Sequence, residues 1–128
     1  MKKMLLFLWP LVLSSFLLTG CGTTVTNLTP GTQKRTPSGL YPFEVALDTN
    51  AERIKEQTLK PYVLIGPDIY AMQPTLNIKN RWETVVPIPA NSEFVSYRFK
   101  FDYDYRSIPK AQPTSILSRP FQLQIQDK

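Results

Sequence analysis

From residue 97 to residue 106 the chain alternates without a break. Tyr97, Phe99, Phe101, Tyr103 and Tyr105 are separated by Arg98, Lys100, Asp102 and Asp104, and Arg106 follows. A period of two sends successive side chains to opposite faces, as a strand does and a helix does not. Ten residues predict a strand about 33 Å long with one aromatic and one charged face. The same period recurs at 41–48, where Tyr41, Phe43, Val45 and Leu47 oppose Glu44 and Asp48. Pro42 sits near the start of that strand, where a missing N–H is tolerated. Residues 120–126 alternate again as the final strand, and 81–86 form another, ended by Pro87 and Pro89. Between 59 and 72, two apolar runs flank a Gly66-Pro67-Asp68 turn signal, which fits two strands or one interrupted strand. Thr49-Asn50-Ala51-Glu52 reads as a capping box opening a short helical segment through Glu56. Residues 107–114, with Pro109 and Pro113, read as a connection.

The front of the chain has a different pattern. Lys2 and Lys3 precede an apolar stretch at 4–18 interrupted only by Pro10, Ser14 and Ser15, and Leu18-Thr19-Gly20-Cys21 follows. This is the layout of a secretory signal peptide. Fifteen residues rise about 22 Å as a helix, short of the roughly 30 Å hydrocarbon core that a permanent span must cross. The last four residues resemble the lipobox of bacterial lipoproteins. The resemblance implies cleavage behind Gly20 and a diacylglyceryl thioether on Cys21, which becomes the mature N-terminus with acyl chains such as palmitate. One chain binds only marginally and two or more hold a protein durably on a bilayer. Gly22, rather than Asp, after the lipidated residue implies the outer membrane if the host is Gram-negative. The expected organisation is a signal peptide at 1–20, Cys21 and a polar tether through 39, and a β-domain at 40–128. The tether carries six threonines and no aromatic, with a candidate first strand at 23–28.

Six or seven strands, little helix and proline-rich turns predict an all-β, antiparallel two-sheet sandwich. Thr-Val-Thr-Asn-Leu-Thr-Pro at 24–30, Ser38-Gly39-Leu40-Tyr41, the mid-chain Trp82 and the alternating strand resemble the immunoglobulin-like domains of bacterial surface lipoproteins. The inter-sheet cysteine pair of antibody domains is missing, so an Ig-like sandwich in the broad sense is implied.

Composition narrows the chemistry. The chain of 128 residues has no His and one Cys. That excludes His-based triads, His-containing metal sites, an internal disulfide and Cys clusters. Fifteen Lys and Arg face 10 Asp and Glu; removing residues 1–20 takes Lys2 and Lys3 and no acid, leaving 13 against 10, or +3. Without a basic run this is an ordinary solvated surface, and no nucleic-acid partner is expected.

Few residues remain as candidates for a site. Asp102 and Asp104 share a strand face at a spacing that suits calcium or a glycosidic bond. Arg98, Lys100 and Arg106 on that face favour a solubilising mixed-charge ladder instead. Trp82 with Tyr62 and Tyr70 has the makings of a stacking platform for sugar rings, against the alternative that the Trp belongs to the core. Tyr103 and Tyr105 are candidates for an exposed pair reaching past the sheet edge toward a partner. There is no glycine-flanked serine elbow. The sequence therefore reads as a non-enzymatic envelope lipoprotein that needs no cofactor or metal. It is held to the membrane through Cys21 and serves as an interaction or structural accessory module for an envelope protein, with a glycan or peptidoglycan module as the alternative.

Overall fold

The structure, a computed structural model, describes residues 23–49 and 54–127. The signal segment, Cys21 and all of the capping box but Thr49 lie outside the described residues.

Ten strands occur among those residues: β1 (Thr24–Asn27), β2 (Thr32–Lys34), β3 (Leu40–Asp48), β4 (Lys60–Ile65), β5 (Asp68–Ala71), β6 (Gln73–Pro74), β7 (Arg81–Pro87), β8 (Phe94–Tyr105), β9 (Gln112–Leu117) and β10 (Phe121–Gln126). They form two sheets, one in the order β1-β3-β7-β6 and the other β2-β10-β8-β4-β5, with β9 also paired to β8. In chain order the first sheet is A-B-E-D and the second contains G-F-C, the arrangement of an immunoglobulin-type sandwich. β2 and β5 extend the second sheet on either side.

Alternation decides which side of each strand is buried. The inward positions of β8 are Val95, Tyr97, Phe99 and Phe101, all buried, and those of β3 are Tyr41, Phe43, Val45 and Leu47, also buried. Phe43 and Tyr97 meet edge-on across the sandwich with ring centroids 4.9 Å apart, and Trp82 meets Phe101 in the same way at 5.6 Å. A fully buried side chain of this size contributes about 1.5–3 kcal/mol relative to an exposed one. The two buried tyrosines also satisfy their hydroxyls: Asn27 Nδ2 donates to Tyr97 Oη at 2.8 Å, and the Thr36 amide donates to Tyr41 Oη at 3.0 Å.

Several features differ from the sequence expectation. The polar segment expected to be a tether contains two strands. β1 pairs with β3, as the candidate strand at 23–28 anticipated, and β2 pairs with β10 in parallel, so the sandwich is not wholly antiparallel. The stretch read as a helical segment through Glu56 holds at its described end Ile54, bridged to Tyr105, and a three-residue 3-10 turn at Glu56–Thr58. Residues 59–72 resolve into the hairpin β4–β5, with Gly66 at φ 57° in the two-residue turn. Positive φ at the first turn position is what such hairpins need and glycine supplies freely.

The first half of β9 lies in what read as a connection, because Pro113 argues against a strand. It pairs with β8 with Pro113 opposite Asp104. The Ser118 amide donates to Phe99 O at 2.9 Å. By alternation the N–H groups of Gln112, Thr114 and Ile116 also face β8, and position 113 faces outward, where a proline forfeits nothing.

β9 and β10 run end to end along one edge of β8, interrupted at residues 118–120. Buried Ser118 fills the gap: its Oγ accepts the Phe99 amide at 2.9 Å and donates to Arg119 O at 2.8 Å. Ser118→Ala leaves the Phe99 amide without a partner in the core and is expected to cost about 1–3 kcal/mol. Leu117→Ala, at an exposed neighbouring position, is expected to stay within about 0.5 kcal/mol. Urea denaturation of the two variants checks the difference.

Candidate functional site

The outward positions of β8 are Arg98, Lys100, Asp102 and Asp104, and they make a charged stripe on the larger sheet. Lys100 Nζ lies 3.6 Å from Asp102 Oδ1, which also accepts Ser115 Oγ at 2.6 Å. Lys60 stands opposite Asp102 on β4. Asp102 is thus engaged by a hydroxyl and flanked by two lysines, which balance the charge of Asp102 and Asp104 and leave no carboxylate surplus to draw a cation. Among the described residues no three His, Cys, Asp or Glu side chains come together as a metal set. An open groove of 660 Å³ lies here, lined in part by Thr58, Lys60, Tyr62, Asp102, Asp104 and Ser115.

The aromatic trio does not form one surface. Tyr62 lies on the outward side of β4, opposite Lys100, because its neighbours Pro61 and Val63 are the buried positions. Tyr70 pairs with Val63 and turns inward, packed against the core. Trp82 is half-buried and faces inward against Phe101. The sheet therefore separates Tyr62 from the other two rings. Tyr103 and Tyr105 continue the inward stripe of β8 and are half-buried. Ile54, itself buried, bridges to Tyr105, and the Lys55 amide donates to Asp104 O at 3.0 Å, so the 54–58 segment covers this end of the strand.

A second feature lies at the opposite end of the sandwich and has no signature in the sequence. A cleft of 330 Å³ is lined in part by Ile65, Pro87, Ile88 and Phe94 and by the polar side chains of Asp68 and Ser92. Phe94 is 56% exposed although it opens the longest strand. Strand periodicity gives no warning of it, because Phe94 falls on the polar phase of β8 and reads as a strand terminus.

Arg35 holds one wall of this end in place. Its guanidinium donates to Ala90 O and, at 3.1 Å, to Ser92 O in the β7–β8 loop, and its Nε donates to Asp127 Oδ1 at 2.6 Å. The hydrogen bond to Asp127 raises the Arg35 pKa further above its already high ordinary value, so the clamp keeps its charge. A lysine carries the charge without the planar fork that reaches two carbonyls and a carboxylate together. In Arg35→Lys, amide hydrogen exchange is expected to quicken through residues 89–93 and stay unchanged in β3. Equal protection of the loop in both proteins would contradict the clamp.

Among the described residues no helix is long and apolar enough to cross a membrane. No family model and no curated protein matches the chain, so a functional reading must be built on its own residues.

Proposed function

We propose that this chain is a lipid-anchored envelope lipoprotein whose Ig-like sandwich is a non-enzymatic contact module for another envelope protein. The observation that carries the reading is the placement of exposed Phe94 beside a cleft of mixed lining. It lies at the end of the sandwich away from β1, whose first residue Thr24 follows Cys21 by three positions. With Cys21 in the membrane, that end points into the compartment. An exposed aromatic that opens β8, directly after a loop pinned by Arg35 and beside a cleft with polar and apolar lining, is a pre-ordered contact that suits a protein partner. The glycan alternative has less support, because Trp82 is engaged with Phe101 and faces away from Tyr62.

The anchor and the contact are tested separately. Cys21→Ser is expected to abolish acyl labelling and release the protein from the membrane fraction; unchanged labelling and fractionation would refute the anchor. A photo-crosslinking residue at position 94 in intact cells is expected to recover one specific envelope protein. The same substitution at exposed Ser115 on the outer face serves as the control and should not recover it. Recovery of only abundant bulk lipoproteins from both positions would count against the contact module.

A further inference from the structure

The strand β1 shortens the tether to almost nothing. Only Gly22 and Thr23 separate Cys21 from Thr24, so the reach from the anchor to the folded body is at most about 11 Å. A free tether through residue 39 would reach about 60 Å, whereas β8, the longest strand, spans about 40 Å. The end of the sandwich at which β1 begins must then lie close to the surface that holds Cys21.

Two turns project at that end. Thr24 pairs with Asp48, and the Leu47 amide donates to Asn80 O at 3.0 Å, which places the turn at 75–80 beside the start of β1. Trp82, just inside that turn, packs against Phe101, four residues before β8 ends at Tyr105. The β8–β9 turn at 106–111 therefore projects from the same end.

Each turn displays aliphatic side chains to solvent. Leu76 is 82% exposed, Ile78 45% and Ile108 95%. The first turn is not loose. The Thr75 amide donates to Arg81 O at 2.9 Å and the Ile78 amide to Thr75 O at 3.4 Å. Asn77 and Asn80 both hold φ at 63°, the left-handed region that asparagine tolerates better than most residues. The two turns carry Lys79, Arg106 and Lys110 and no acid, although Asp48 and Glu56 lie exposed behind them at this end. Aliphatic side chains at the tips, with cations beside them, match the boundary between acyl chains and anionic headgroups.

We infer that this end of the sandwich seats on the bilayer, with Leu76, Ile78 and Ile108 among the lipid headgroups, so that the domain stands end-on. The inference rests on the lipidation of Cys21 proposed above. The occupant of this face is a lipid surface carrying anionic headgroups. The opposite end, with the Phe94 cleft, is held about 40 Å from the membrane by the length of β8.

The test uses the full lipidated protein in vesicles of phosphatidylethanolamine and phosphatidylglycerol. Cys21 is the only cysteine, and as a thioether it presents no thiol, so one introduced cysteine can be labelled with an environment-sensitive fluorophore. In Leu76→Cys and Ile108→Cys the emission is expected to shift to the blue and to be quenched by headgroup nitroxides. In Asn91→Cys, in the loop at the far end, it should remain water-like. Protein that floats with the vesicles while positions 76 and 108 stay as water-like as 91 overturns the seating and leaves the anchor standing. Protein that carries no acyl group and fails to float overturns the anchor, and the seating with it.

Discussion

Everything in this sandwich leans on the inward face of β8. Tyr97 stands at its middle, with Phe43 of the facing sheet at 4.9 Å, Phe99 at 5.6 Å and Phe121 of β10 at 5.8 Å, and its hydroxyl accepts from Asn27 on β1. One side chain thus ties together strands from both sheets. The alternation that buries Val95, Tyr97, Phe99 and Phe101 leaves Arg98, Lys100, Asp102 and Asp104 no choice but the outer face. The charged stripe is a consequence of the core, and its salt contacts follow from crowding on one face rather than from a built site. Exposed pairs such as Lys100 and Asp102 contribute at most about 1 kcal/mol, so the apolar side of β8 decides the fold.

The same strand gives the molecule two ends with different chemistry. One end gathers the start of β1, the 75–80 turn and the 106–111 turn, with aliphatic tips and cations. The other carries the cleft at the start of β8, the Arg35 clamp and Phe94. Under the anchoring at Cys21 proposed above, a sandwich held by its first strand would transmit the position of the anchor directly to the orientation of the body.

Much of this was legible in the residues, and the gaps have physical causes. β3, β7, β8 and β10 are half-buried strands, and half-burial writes a period of two into the sequence. β1 was anticipated as a candidate strand at 23–28, but the segment that leads from it to β2 is held differently. Thr29 Oγ1 accepts the Glu44 amide at 2.9 Å and donates to Glu44 O at 3.1 Å, and Leu28 N donates to the same carbonyl. Backbone and hydroxyl bonding of this kind leaves no apolar pattern, so a threonine-rich run reads as tether. β9 was hidden by Pro113, which is harmless only because of a register that the sequence does not state. Tyr62 and Tyr70 could not be assigned to faces without knowing that Gly66 and Pro67 form a tight hairpin turn, which fixes the phase of β5 against β4. The exposed tips Leu76, Ile78 and Ile108 sit in short polar turns, where one or two apolar residues make too short a run to set a period.

The proposed arrangement depends above all on how the mature chain begins. Intact-mass measurement of the protein extracted from membranes, with sequencing of its first peptide, addresses this directly. The anchored sandwich requires a chain starting at Cys21 and carrying the mass of a diacylglyceryl group on that residue. A chain that retains residues 1–20, or that starts at an unmodified Cys21, would contradict it.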